Sequence, residues 1–236
     1  MPQADAPVAD LRERLAIALD VDDLVAALRT ARNLRPWFGV AKVGLELFIA
    51  SGPEAIGALS QLGYKVFLDL KLDDIPNTVN RAARIAGSLG VSYLTLHARG
   101  GVTMLKAGVT GLKEGAEAAG LPPPIALAIT VLTSDGDAPP HILGQRVAAA
   151  AEAGCDGIVC AASDVREAKE LMPKLLAVVP GIRPADADAH DQARSATPQE
   201  ALEAGADMLV VGRAVTSADD PATAAAALAD SIRDAT

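Results

Sequence analysis

Eight short apolar runs, each followed by a segment with helical spacing, constrain the fold of this chain more than any other feature. The runs are Leu15–Leu19, Val40–Val43, Val66–Leu68, Tyr93–Leu96, Ile125–Ile129, Gly157–Val159, Leu175–Val179 and Met208–Val211. Unbroken apolar runs of this length suit strands buried on both faces, as in a parallel sheet. Between them, sets such as Leu24/Leu28/Ala31, Ile56/Leu59/Leu62, Ala82/Ile85/Leu89 and Leu105/Val109/Leu112 recur at the spacing of one helix face. The last helix is expected to start near Pro221, a good first-turn residue, and to run towards Ile232. The helix between the sixth and seventh strands is short and is read as containing Met172-Pro173. Strand and helix alternating eight times, with no strand-rich tail, point to an α/β fold of the (β/α)8 TIM-barrel type rather than an open sheet.

Punctuation agrees with that reading. Gly63, Gly90, Gly120, Gly154 and Gly205 each stand just before a strand, where a helix C-cap belongs. Gly154-Cys155-Asp156 and Gly205-Ala206-Asp207 repeat one helix-to-strand connection. No linker or low-complexity stretch divides the chain, so residues 1–236 are expected to form a single barrel domain. Aromatic residues make up only 3% of the chain, which suits alanine-rich helices packed closely on a sheet better than a β-sandwich. The longest irregular segment, Pro180 to Pro198, reads either as a functional lid or as a surface insert.

Composition narrows the partners. A net charge of -9 argues against nonspecific nucleic-acid binding, which needs a basic face. A small anion is still compatible where it meets local Lys or Arg, because surface fields are screened within roughly 8 Å at physiological salt. Cys155 and Cys160 lack zinc-like spacing and read as buried, reduced thiols. Met1 to Asp10 carries acidic residues without an apolar core, unlike a signal peptide, and no apolar stretch is long enough to span a bilayer. The expectation is a soluble, cytoplasmic protein.

Chemistry is expected at the C-terminal ends of the strands. Asp20 closes the first strand, Lys42 lies in the second, and Asp69-Leu70-Lys71-Leu72-Asp73-Asp74 follows the third. On an extended chain Asp69 and Lys71 share one face while Leu68 and Leu70 take the other. Opposite charges side by side at a buried strand end are costly unless paired. Lys42, Asp69, Lys71 and Asp74, with Asp20 nearby, are expected to form a chain of alternating charges, either a catalytic array or a structural ion-pair network. Asp73 is read as facing solvent or capping the next helix. His97 ends the fourth strand, as a hydrogen-bonded core residue or a base. Thr130 and Thr133 follow the fifth strand. Gly212-Arg213 after the eighth strand is a candidate phosphate cradle, facing Pro180-Gly181-Ile182-Arg183 and the loop that ends in Asp191-Gln192. His141 and His190 read as loop or helix-start residues. No Ser-His-Asp or Cys-His pattern, Walker motif or dinucleotide glycine fingerprint is present.

Leu19-Asp20-Val21, Lys42-Val43-Gly44-Leu45-Glu46-Leu47-Phe48, Phe67 through Thr78, Val131-Leu132-Thr133-Ser134, Val179 through Pro184, Asp191-Gln192 and Thr197 through Arg213 together resemble the bacterial type of orotidine 5′-phosphate decarboxylase. The likeness runs in order along essentially the whole chain. Three positions depart from the family pattern. Asp73 stands where His or Ala is frequent, Arg99 replaces a small residue before Gly100-Gly101, and Ala193 replaces a basic residue after Gln192. The resemblance implies conversion of orotidine 5′-phosphate to UMP and CO2, the last step of de novo UMP synthesis, by a cofactor-free homodimeric barrel with no metal and sites at the subunit interface. It implies Lys71 as proton donor to pyrimidine C6, Asp69 beside the departing carboxylate, Lys42 positioning Asp69 and the ribose, and Asp20 on the ribose. Asp74, Ile75 and Thr78 would enter the neighbouring subunit's site. Thr133 and Ser134 lie where the base binds, while Arg183, Gln192, Gly212 and Arg213 gather the phosphate. Related sugar-phosphate decarboxylase and aldolase barrels share the Asp-x-Lys-x-x-Asp pattern but would hold Mg2+ through an acidic residue on strand two, where this chain has Lys42. A noncatalytic phosphate-binding barrel is the remaining alternative.

Overall fold

The computed structural model describes residues 11–135, 138–183 and 194–233. The elements run β1 Leu15–Ala18, α1 Leu24–Leu34, β2 Val40–Val43, α2 Leu45–Ser51, α3 Pro53–Gln61, β3 Lys65–Leu72, α4 Pro76–Ser88, β4 Tyr93–His97, α5 Gly101–Ala118, β5 Ile125–Ile129, α6 His141–Ala153, β6 Gly157–Val159, α7 Ala162–Leu171, β7 Leu176–Val179, α8 Pro198–Glu203, β8 Met208–Val211, α9 Arg213–Thr216 and α10 Pro221–Arg233. All eight strands are parallel and close in sequence order, β8 pairing back onto β1, which is the (β/α)8 TIM barrel. Seven of the eight apolar runs match their strands to within a residue. The third strand is longer than its run and takes Asp69 and Lys71 into the sheet. Helix α7 stops at Leu171, so Met172-Pro173 lies beyond it rather than inside.

Alternation along each strand builds two apolar layers. Ala16, Ala18, Val40, Phe67, Tyr93, Leu127 and Val178 fill the barrel interior. Leu15, Ile17, Leu68, Leu94 and Leu96 face outward onto the helices. Each such side chain, fully buried, contributes about 1.5–3 kcal/mol. Gly63, Gly90, Gly120, Gly154 and Gly205 all have φ between +67° and +104°, the conformation glycine supplies without a Cβ clash. The repeated Gly-x-Asp connection also has a physical reason. Asp156 accepts the Ala126 amide of β5 at 2.9 Å, and Asp207 accepts the Ala177 amide of β7 at 2.7 Å. These carboxylates secure the N-terminal rim, which serves stability.

One expected helix face is wrong. Of the set Ala82/Ile85/Leu89 only Leu89 packs on the core; Ala82 is exposed, Ile85 is 60% exposed, and Val79, Ala83, Ala86 and Gly87 are buried instead. The neighbour decides. Helix α5 approaches so closely that a Cβ on Gly87, Gly111 or Gly115 would strike the opposite helix backbone at Leu112, Asn80 or Arg84. Small residues therefore win the interface, and the larger Ile85 turns out.

Candidate active site

The site begins with an irregularity in β3. Leu68 pairs with Leu94 and Leu72 pairs with Leu96, so β3 uses four steps where β4 uses two. The excess is an even number, which preserves the pleat's parity. Leu70 and Leu72 still pack outward, and Asp69 and Lys71 still face the barrel axis. Lys71 absorbs the distortion with φ +50°, alone among the described non-glycine residues in that region. Such a conformation costs on the order of 1–3 kcal/mol and persists only where surroundings enforce it. The Thr95 hydroxyl takes the displaced Lys71 amide at 2.9 Å and itself donates to Asp69 Oδ1 at 2.9 Å.

Four charges then alternate across β1, β2 and β3. Lys71 Nζ lies 2.8 Å from Asp69 Oδ2, Lys42 Nζ 3.7 Å from the same oxygen, and Lys42 Nζ 3.1 Å from Asp20 Oδ1. Burial alone would raise the Asp69 carboxyl, but the Lys42 and Lys71 ammoniums and the hydrogen bonds from Lys71 and Thr95 outweigh it. The group is held below the ordinary aspartate range. A unit-charge contact near 4 Å at an effective dielectric of 20 is worth about 4 kcal/mol, which explains why the pairing wins. Gly44 makes room for this: a Cβ there would sit 2.8 Å from Asp20 Oδ1 and 3.2 Å from Lys42 Nζ.

The array lines a cavity of about 640 Å³ at the C-terminal mouth of the barrel, within the range of small-ligand pockets. Across it stand Pro180, Gly181, Arg183, Gly212 and Arg213. Arg183 is only 8% exposed. The stems of the long segment after β7 are joined, with the Arg183 amide donating to Ala196 O at 3.0 Å and the Ala196 amide to Gly181 O at 3.3 Å. Thr133 lines the cavity and Ser134 does not. Gln192 and His190 lie outside the described residues, as does Ala193. Among the described residues no group of three or more His, Cys, Asp or Glu side chains gathers as metal ligands, and no helix is long and apolar enough to cross a membrane.

Several expected placements change. Asp74 does not join the array; it is exposed, and its Oδ1 accepts the Ile75 amide at 2.6 Å. Ile75, 67% exposed, and the exposed Thr78 lie off this chain's own cavity wall, whereas the expectation for both concerned a neighbouring subunit's site. Asp73 is exposed and does not cap α4; its carboxylate also meets Arg99 Nε at 2.5 Å. Two of the three departures from the family pattern are thus partners. His97 takes the core role: it is 6% exposed, off the cavity wall, and its Nδ1 accepts the Arg99 amide at 3.3 Å. Thr130 is fully buried and bonds Val159 O at 2.9 Å. Cys155 and Cys160 are free and buried, and burial pushes both thiols up to about 12.

Two residues escaped the sequence reading. Thr95 passed for an ordinary β-branched strand residue, its one signal being a hydroxyl inside an apolar run. Arg194 donates twice to Asp164, at 2.8 and 2.9 Å, and once to Leu132 O at 2.9 Å. It ties the returning end of the long segment to the loop that carries Thr133. The signal was a cation immediately after Gln192-Ala193.

This is a barrel that sets a carboxylate-held ammonium on one side of its cavity and guanidiniums on the other, chemistry suited to a small anion. The family model described as "Orotidine 5'-phosphate decarboxylase / HUMPS family" matches residues 13–228. Orotidine 5'-phosphate decarboxylase of Anaeromyxobacter sp. (strain K) is 49% identical, with 92% of this chain and 97% of that protein covered. The protein of the same name from Moorella thermoacetica is 44% identical, covering 94% and 92%. The crystal structure of orotidine 5'-phosphate decarboxylase from Lactobacillus acidophilus superposes with a TM-score of 0.73 at 35% identity, covering 92% of this chain and 98% of that one. The chain belongs to the orotidine 5′-phosphate decarboxylase / HUMPS family.

Proposed function

We propose that this protein decarboxylates orotidine 5′-phosphate to UMP and CO2 in pyrimidine nucleotide synthesis, without a cofactor, as a cytoplasmic single-domain enzyme. The observation that carries the reading is the Lys71–Asp69 contact of 2.8 Å, with Lys42 behind it, on the same cavity as Arg183, Gly212 and Arg213. Phosphate binding alone needs no such array. The C6–carboxylate bond breaks and leaves its electron pair in an sp² orbital orthogonal to the ring π system, where delocalisation cannot help. Lys71 Nζ supplies a fixed positive charge as that pair develops and then transfers a proton to C6, giving UMP. The neutral amine regains a proton from water. Asp69 stands beside the departing carboxylate and orients Lys71. Lys42 bridges Asp69 and Asp20 towards the ribose, and Thr133 faces the base. Arg183, Gln192, Gly212 and Arg213 hold the phosphate, whose binding energy organises the distant reacting centre.

The site is completed in a homodimer. Asp74, Ile75 and Thr78 do not reach their own cavity, and exposed apolar residues at the same rim, Leu45 and Ile49 on α2 with Ile75 before α4, suit a covered face. The sugar-phosphate relatives provide the second reading, and Lys42 speaks against it, because its ammonium occupies the position where a divalent cation would need a carboxylate.

The deciding assay follows loss of the orotate chromophore with and without EDTA, using Lys71→Ala as control. Turnover indifferent to EDTA, and a loss of at least about 10⁴-fold in Lys71→Ala with UMP still bound, are expected from the combined proton-transfer and electrostatic roles. Wild-type protein that binds UMP but never consumes orotidine 5′-phosphate would overturn the proposal in favour of a scaffold. An active monomer by light scattering would remove the dimer.

A further inference from the structure

We infer that Thr95 is the positioning residue for the Asp69–Lys71 pair, an inference that rests on the decarboxylase reading for its kinetic consequence. Strand β4 is the one barrel stave from which no described residue, in the strand or the loop after it, lines the cavity. It acts from behind. Thr95 is 0% exposed and lies between Leu94 and Leu96, which face the helices, so its own side chain faces the interior against β3. The single hydroxyl does two jobs there. Its lone pair takes the Lys71 amide at 2.9 Å, and its proton goes to Asp69 Oδ1 at 2.9 Å.

The register slip is what gives this geometry its consequence. Lys71 lies beyond the last β2–β3 pair, Val43 with Leu68, so its amide has no ladder partner on that side; it turns instead to the Thr95 hydroxyl, and Lys71 takes φ +50°. The same hydroxyl therefore fixes the backbone from which the ammonium springs and one oxygen of the carboxylate that the ammonium touches. The other carboxylate oxygen is the one shared by Lys71 and Lys42, at 2.8 and 3.7 Å. Without the hydroxyl the carboxylate is held at Oδ2 alone, by the two flexible ammoniums, and the bulge can relax. A displacement of about 1 Å in a reacting group is enough for a loss on the order of 10²-fold. Substrate binding should be spared, since Thr95 touches neither the cavity nor the arginine wall.

The test uses Thr95→Val, which keeps the shape and removes the hydroxyl, and Thr95→Ser, which keeps the hydroxyl. Steady-state kinetics with orotidine 5′-phosphate, UMP binding by calorimetry and Lys71 amide exchange by NMR are measured on all three proteins. For Thr95→Val we expect kcat to fall about 30-fold, KM and the UMP Kd to stay within about threefold, and Lys71 amide exchange to quicken at least about tenfold. Thr95→Ser should stay within about threefold of wild type throughout. A Thr95→Val kcat within twofold of wild type overturns the inference. So does equal impairment of both variants, or UMP affinity falling in step with kcat, each of which marks a packing role. If Thr95→Val fails to fold, wild-type protein decides, because a Lys71 amide that exchanges at the unprotected rate refutes the inference outright and a protected one supports it together with the Ser kinetics. Should wild-type protein show no decarboxylation at all, the activity reading fails alone. The amide exchange of Lys71 in wild type and Thr95→Val then decides positioning by itself.

Discussion

The two walls of the cavity are built on opposite electrostatic plans. On the β1–β3 side the charges alternate, and Asp20, Lys42, Asp69 and Lys71 meet at 2.8–3.7 Å within one chain. On the β7–β8 side the charged residues described on the wall are both guanidiniums, Arg183 and Arg213. The first wall is set before any ligand arrives, its partners held by adjacent staves and by Thr95. The second brings two guanidiniums to the same cavity, the arrangement on which the proposed phosphate contact rests. Preorganised charge lowers a barrier where charge develops, whereas contacts made equally to substrate and transition state lower KM. The array should therefore govern kcat and the arginine wall should govern affinity.

The sharpest way to break that division is Lys42→Met. Removing one partner of a buried charge array costs roughly 3–5 kcal/mol when the remaining charge stays buried. Asp69 is 9% exposed and would retain Lys71 as its one cation, beside the Thr95 hydroxyl. We expect kcat/KM to fall about 10³-fold, mostly in kcat, by the chromophore assay. On the other wall, Arg213→Ala would remove the proposed charge-assisted phosphate contact, worth about 1.5–3 kcal/mol. KM should rise about 10- to 100-fold with kcat changed far less. Should both variants move the same kinetic parameter, the division of labour between the walls is wrong. A smaller effect is expected at Gly44. In Gly44→Ala the new methyl would press on Asp20 Oδ1 and Lys42 Nζ, but Asp20 is 56% exposed on its side chain and has room to swing away. About a tenfold loss of kcat/KM follows, because the Asp20 end of the array opens while the buried Asp69–Lys71 end stays.

The walls also differ in how far they can be read from sequence. The barrel shows itself because strands buried on both faces leave unbroken apolar runs, and because five helices end in glycines whose positive φ no other residue adopts as easily. The array shows itself because Asp69 and Lys71 continue an apolar strand at alternate positions. Its fine structure stays hidden, since the slip at Lys71 depends on how β4 pairs and Thr95 looks like any β-branched strand residue. The partner of the exposed Asp73 is hidden for a similar reason: Arg99 lies 26 residues away. The inward face of α4 depends on glycines in α5 and not on its own apolar spacing. The arginine wall is the harder of the two, because Gly-Arg after a strand is a common pair and gains meaning only beside Arg183, while Arg194 spends its guanidinium on Asp164 and Leu132 O.

The smallest expected effect separates the array from the histidine that ends β4. Burial first, then the positive charges of Arg99 and Arg146, hold the His97 imidazole below its ordinary range, only partly offset by Asp73. The folded protein thus keeps His97 neutral at a pH where the unfolded chain has already taken up a proton. Stability is complete above the unfolded histidine value near 6.5 and falls as pH drops below it towards the folded value. Asp69, held below the ordinary aspartate range, keeps its charge over the same window and contributes no slope there. His97→Asn retains an acceptor for the Arg99 amide, which His97 Nδ1 takes at 3.3 Å, and removes the titration. Urea midpoints at pH 7.5, 6 and 5 should show wild type losing about 1 kcal/mol more than the variant across that range, since one proton cannot exceed about 1.4 kcal/mol per pH unit. Parallel curves for the two proteins would mean that His97 already protonates in the fold. The neutral core role assigned to it would then give way to a cation lying against the Lys71 side of the array.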